Sequence, residues 1–280
     1  MRKLITITLV ITSLMASAQV DTTKTLYTSL KQAIVTPLSV YRLEITDPTE
    51  IAELSQLPLL KNLEYLSLKG DGLTTVPAQL IELKNLKILD LSDNDITILP
   101  KEFSNLNELE ELYLNDDLKL DFNQAIEVLS KIKGLRVLTL RNDSILTLPE
   151  SIANLKSLEI LDIGGNSFTV LPKSIVQLEN LQELYLDHDN GLDFRNAFII
   201  LGGLPRLRVL HLEGNELVSL PETINQIKTL EKLYLNQNEL SIVNLRRNQL
   251  KQLMLVDLQE NEVPLGTLEH LERTGVRIRF

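Results

Sequence analysis

Apolar residues return along most of this chain in one fixed phrase. In Leu86 to Glu108, LKILDLSDNDITILPKEFSNLNE, the residues Leu86, Leu89 and Leu91 are followed by Asn94, Ile96, Leu99, Pro100, Phe103 and Leu106. The stretch from Leu86 to Leu91 predicts a short strand with leucines on one face and Ile88 and Asp90 on the other. Asn94 suits the corner that must follow, because its amide can both donate to and accept from backbone groups that a bent chain leaves free. Ile96, Leu99, Phe103 and Leu106 then point back into the same interior. Pro100 fixes its own φ and lacks an N–H, which suits an extended or turn-like return segment. One such coil cannot bury its own apolar edge and needs a copy on either side.

Those copies are present, with strand starts at Val40, Leu63, Leu86, Leu109, Leu135, Leu158, Leu181, Leu207, Leu230 and Leu253, in steps of 23 or 26 residues. The phrase L-x-x-L-x-L-x-x-N-x-L followed by L-P-x-x-I-x-x-L resembles the leucine-rich-repeat family, in its bacterial 23-residue form. The resemblance implies an α/β fold: a curved solenoid, or horseshoe, with a parallel β-sheet on the concave face. The convex segments would be mostly irregular or short helical. The unbroken repeat argues for one elongated core over residues 40–280, the last coil acting as a C-terminal cap.

Departures from the phrase predict local differences. Residues 19–39 read as an N-terminal helical cap, since Leu26, Leu30, Ala33 and Ile34 have helical spacing and Pro37 stops the pattern. The Val40 coil carries Pro48 and Glu50 where asparagine and leucine would stand. The coils from Leu109 and Leu181 lack the Leu-Pro pair, and instead Asp121 and Asp193 precede apolar residues at helical spacing. These two coils are expected to carry a short helix capped by that aspartate. The final coil predicts a helix near Thr267 to Arg273 and a strand from Val276 to Phe280.

Ahead of the repeats, Arg2 and Lys3 precede an apolar run from Leu4 to Met15, and Ala16-Ser17-Ala18 fits a cleavage site before Gln19. Residues 1–18 therefore read as a signal peptide. No later apolar run is long enough to span a membrane. The chain has no cysteine, so it can form neither a disulfide nor a cysteine-linked lipid anchor. Exported eukaryotic members of the family often close their ends with disulfide-bonded caps. The departure favours a bacterial protein, periplasmic or secreted.

Candidate chemistry is sparse. Three histidines, His188, His211 and His270, lie in different coils, and no P-loop, dinucleotide or metalloprotease motif is present. These features argue against an enzyme and imply no cofactor. Asp187, Asp189 and Asp193 stand at the spacing that opens calcium loops, with Gly191 between them, but Phe198 occupies the place of the closing glutamate. Each also has a structural reading: Asp189 at the asparagine position, Asp193 as a helix cap, Asp187 at an exposed strand end. The asparagine position holds aspartate at Asp71, Asp117, Asp143 and Asp189, and an ionised carboxylate cannot donate as the amide does.

The formal charge is −10, and −12 once Arg2 and Lys3 leave with the leader, which disfavours nucleic acid and suits a cationic partner. The outward positions of the strands are the candidate binding surface, although their Tyr, Val, Ile and Thr also suit a strand by β-propensity alone. Their central column includes Tyr113, Asp162, Tyr185, His211 and Tyr234, with Glu183 in the column beside it. Tyr185, His211 and Tyr234 fall in consecutive coils and should form a contiguous strip about 4.8 Å per step. Exposed tyrosines among Asp162 and Glu183 resemble a surface that captures a protein or peptide, with Tyr113 as a separate aromatic patch. On this reading Asp162 is a surface residue whose truncation costs little, while Leu161 beside it is core. A structural envelope or surface protein and a calcium-dependent adhesin are the alternative classes.

Overall fold

The computed structural model describes residue 21 and residues 23–246, 248–273 and 275–280; the leader expected over residues 1–18 lies outside them. The chain comprises two compact units, up to Leu138 and from Thr139 onwards. In the first unit each coil contributes one short strand. β1 (Leu26–Tyr27), β2 (Arg42–Glu44), β3 (Tyr65–Ser67), β4 (Ile88–Asp90) and β5 (Glu111–Tyr113) pair in parallel, each with the next. The register advances by one coil per strand, so Leu66 stands beside Leu89 and Leu89 beside Leu112. A further strand, β6 (Val137–Thr139), contains the division.

The second unit repeats the scheme with β7 (Ile160–Asp162), β8 (Glu183–Tyr185) and β9 (Val209–His211). It then passes through a separate parallel pair, β10 (Ser219–Leu220) and β12 (Ile242–Val243), which edges the return side of two neighbouring coils. β11 (Lys232–Tyr234), β13 (Leu255–Asp257) and β14 (Arg277–Arg279) continue the main sheet from β9. Parallel strands one coil apart leave the middle leucines in contact above and below. Leu66, Leu89, Leu112, Leu161, Leu184, Leu210 and Leu233 are fully buried, as the phrase predicts.

The standard return segments are short 3-10 helices, at 78–82 and 101–105 in the first unit and at 150–154, 173–177 and 222–226 in the second. Each follows directly on a proline: Pro77 after Val76, and Pro100, Pro149, Pro172 and Pro221 each of a Leu-Pro pair. At a helix start the missing N–H would have had no partner anyway, and the fixed φ sets the entry. The sequence predicts an extended or turn-like segment here, and five residues are too few to show helical periodicity. The two 26-residue coils instead carry α-helices, Phe122–Leu129 and Phe194–Leu201, with Asp121 and Asp193 accepting from the amides of Gln124 and Asn196.

At each corner the asparagine acts as expected. Asn94 Nδ2 donates to the carbonyls of Leu68 (2.9 Å) and Leu91 (2.7 Å), and its Oδ1 accepts from the Leu73 amide. Asn166, Asn238 and Asn261 repeat the pattern in the second unit. One residue earlier the backbone is left-handed in coil after coil: Asp93, Asp116, Asn142, His188, Gln237 and Glu260, with Gly70, Gly165 and Gly214 at the same place. Side chains pay for a positive φ in steric strain. At Gly165 a Cβ would also stand 2.0 Å from the Asn142 Oδ1, so a side chain there requires the Asn142 amide to swing aside as well.

The N-terminal segment departs from the predicted helix. Leu26 sits on β1, paired beside Arg42, and the α-helix is the single turn Leu30–Ala33. A two-residue strand cannot display alternation, so helical spacing alone misassigned it. Glu50 explains the degenerate first coil. Its carboxylate is buried and accepts from the Ser29 hydroxyl (2.7 Å) and the Leu30 amide. The residue standing in for a leucine thus ties the first helical turn to the repeats. At the other end the helix spans Leu265–Arg273, starting ahead of the expected Thr267.

Candidate functional site

The outward faces of β8, β9 and β11 bring the predicted strip together. The rings of Tyr185 and His211 stack with centroids 3.8 Å apart and planes 9° from parallel. His211 and Tyr234 stack at 4.5 Å and 7°. One residue per coil at the same strand position forces this geometry, since parallel neighbours lie about one strand spacing apart. Glu183, two residues before Tyr185 on the same face, accepts from the Tyr185 hydroxyl (2.6 Å) and lies 2.9 Å from His211 Nε2. The other ring nitrogen, Nδ1, is 3.1 Å from Glu213.

Both His211 nitrogens therefore face carboxylates, and only the protonated ring can donate from both. Burial alone would lower the pKa of His211, but the bonds to Glu183 and Glu213 outweigh it and lift the group to about 9. Burial would likewise raise Glu183, but the bond and charge of His211, with the Tyr185 hydroxyl and the Lys232 charge, together outweigh it and hold the carboxyl below its usual value. Burial pushes the Tyr185 hydroxyl well above its ordinary value, with the negative charge of Glu183 adding to it. At neutral pH the row holds the His211 imidazolium and the Glu183 carboxylate, set between two phenol rings.

The expectation of exposed tyrosines needs correction. Tyr185 is 4% exposed and Tyr113 3%. For Tyr185 the flat His211 ring on the adjacent strand covers it, so an outward-pointing side chain is not an accessible one. Glu183, His211, Glu213 and Tyr234 remain half-buried, and Lys232 is exposed. Tyr113 belongs to the first unit, where its hydroxyl donates to Glu111 (2.7 Å), the same pairing that Tyr185 makes with Glu183.

Asp162 is corrected as well, being 1% exposed rather than a surface carboxylate. Arg141 Nη1 lies 3.1 Å from its Oδ1, and the Gly164 amide donates to the same oxygen at 3.1 Å. Arg141 Nη1 also donates to Asp187 Oδ1 (2.9 Å), and its Nη2 to Asp187 Oδ2. A Cβ at Gly164 would stand 2.7 Å from Asp187 and 3.0 Å from the guanidinium, so this glycine lets the arginine cross between coils. Burial would raise the Asp187 carboxyl, but Arg141 and then His188 outweigh it and hold it far below the usual range. Burial pushes Asp162 upward against the pull of Arg141.

The three carboxylates of the calcium-like string do not converge. Asp187 is buried on Arg141 rather than at an exposed strand end, Asp189 Oδ1 accepts from the Asn166 amide (2.8 Å), and Asp193 caps a helix. Among the described residues no group of three or more metal-binding side chains lies together. Nor is any helix among them long and apolar enough to cross a membrane. Glu213 escaped the sequence reading, although its place two residues after His211 on a strand face was the available signal.

Comparison with known proteins agrees with the coil geometry. Family models described as leucine rich repeat and leucine-rich repeat region match residues 61–118 and 116–200. Together they take in half of the chain, and the chain belongs to the leucine-rich-repeat family. Among solved structures, an internalin (InlF) from Listeria monocytogenes is similar, at 20% identity and TM-score 0.56, over 86% of this chain and 72% of that one. A chain of the mouse RP105/MD-1 complex is similar at 24% identity and TM-score 0.65, over 86% of this chain and 43% of that one. This chain thus spans less than half the length of the mouse protein, and at such identities the likeness shows the fold. No curated protein matches the chain.

Proposed function

We propose that this is an exported, non-enzymatic binding module that captures a protein or peptide partner on the concave strand face of its second unit. The observation that carries the reading is the stacked row Tyr185, His211 and Tyr234 with Glu183 and Glu213. Rings and charges locked against one another lose little side-chain entropy on binding, which favours affinity. The accessible part of the row is Tyr234, His211 and the two glutamates, which suits a partner offering a basic group beside an apolar one. Tyr185 and Asp162, both buried in the same unit, then act as supports. The partner-capturing role of related solenoids is general to the fold, and the mouse structure is itself that of a complex. A periplasmic or secreted location in a bacterium fits the leader and the lack of cysteine.

Tyr234→Ala tests this without touching the buried Tyr185. Affinity capture from the native host with the wild-type chain should yield a partner that the variant loses by tenfold or more, while both chains melt within about 2 °C of each other, consistent with a half-buried site. Retention of that partner at full affinity by Tyr234→Ala and by Lys232→Glu would remove the strand face from consideration.

A further inference from the structure

The corner asparagines bind through two atoms with opposite roles, and Asp189 occupies one of those corners. In the coils around it, Oδ1 of the corner residue accepts from the preceding coil: Asn166 from the Ile145 amide (3.0 Å), Asn215 from the Asp189 amide (2.6 Å), Asn238 from the Asn215 amide (2.9 Å). The amide nitrogen donates to carbonyls, as Asn166 Nδ2 does to Leu140 and Ile163, both at 2.8 Å. Asp189 Oδ1 plays the accepting part, taking the Asn166 amide at 2.8 Å. Its Oδ2 stands where the amide nitrogen would be, buried and without a hydrogen-bond partner. By the repeat register the carbonyls at that place are those of Ile163 and Leu186, which accept from Asn166 and Asn215 and keep a second lone pair. A carboxylate oxygen against carbonyl oxygens is repulsive. A protonated one is a donor of nearly the same shape as an amide.

We propose that Asp189 works in the folded coil as a neutral carboxylic acid, its Oδ2 hydroxyl donating to the Ile163 or Leu186 carbonyl, and that the coil loses stability as the proton leaves. Burial is the largest influence on the group and pushes it up to about 7 from an ordinary 3.8, against the Asn166 amide, which pulls it down. The charged groups facing it are Asp187 and Asp162, which add to the rise, and Arg141, which opposes it. His188, next in the chain, turns its ring to Asp187 instead. Asp117 holds the matching corner of the first unit, accepts from the Ile96 amide at 3.4 Å, and is likewise pushed up to about 7, burial again leading. A folded-state value above the unfolded one means that the folded chain binds the extra proton. The contribution to stability is therefore full below about 3.8 and declines as pH rises through about 7.

The full chain can be tested by carboxyl carbon NMR and by thermal unfolding. The Asp189 resonance, assigned by its loss in Asp189→Asn, should titrate near pH 7. Asparagine supplies the donor at every pH, so the variant's gain in melting temperature over wild type should grow from pH 5 to pH 8. A titration near 4, or a gain equal at the two pH values, overturns the proposal. Should Asp189→Asn fold poorly, Asp117→Asn gives the same pair of readings for the matching corner, and the same results support or overturn it.

Discussion

Leu161 and Asp162 are neighbours on β7, and they show what strand periodicity conveys and what it leaves out. The alternation places Leu161 inward, where it is fully buried. Leu161→Ala should lower the unfolding free energy by about 2–5 kcal/mol through the cavity it leaves. The same alternation places Asp162 outward, and it says nothing of what lies beside it one coil away. Arg141 and the Gly164 amide fill that space. Truncating Asp162 leaves the guanidinium paired with Asp187 but removes the acceptor of the Gly164 amide, so Asp162→Ala should cost about 1–3 kcal/mol, the usual penalty for an orphaned buried group. Urea unfolding of the two variants measures both. A loss below about 0.5 kcal/mol at Asp162 would mean a solvated carboxylate and a different face for Arg141. His211 was legible as a member of the strip, while its clamp by Glu183 and Glu213 was half legible, since Glu213 needed only the two-residue period.

The elements divide by length in how well the sequence foretold them. The helices Phe122–Leu129 and Phe194–Leu201 run two full turns, enough for an apolar face to show, and their aspartate caps stand at the expected place. Their amphipathic character decides where they lie, and the cap settles where they begin. Asp193→Ala should therefore cost about 1 kcal/mol through the lost bond to the Asn196 amide. A circular-dichroism melt of that variant reads the loss, and an unchanged midpoint would leave the helix start to packing alone. The 3-10 returns, β1 and the left-handed corners stayed hidden. The first two are too short for any period to be visible. The corners hold Asp, Asn, His, Gln, Glu and Gly, which share a backbone conformation and no side-chain chemistry. Glu50 was visible as an exception to the phrase, yet its partner at Ser29 and Leu30 lies in a segment with no repeat to give the register.

For the molecule as a whole, the fold follows from nearest-neighbour physics. A coil that cannot bury its own edge requires copies, and ten copies in phase specify a stack whatever each corner contains. The function does not follow in this way, because a solenoid places many surfaces outward and the phrase constrains only the inward ones. Export bears on function at this scale, since it decides which partners the strand face can meet. The leader reading rests on three features in order: Arg2 and Lys3, the apolar run from Leu4 to Met15, and Ala16-Ser17-Ala18. The run is shorter than the roughly 20 residues that cross a bilayer, so it suits a cleaved signal better than an anchor. Its alternation of Ile5, Ile7 and Leu9 with Thr6 and Thr8 also suits a strand, and that competing reading leaves the segment attached. Mass spectrometry of the chain recovered from outside the cytoplasm separates the two. Cleavage predicts Gln19 as the first residue and a chain more acidic by the two lost cations. An intact Met1 on a folded cytoplasmic chain would show that the segment is a strand of the molecule and that its partner must be sought inside the cell.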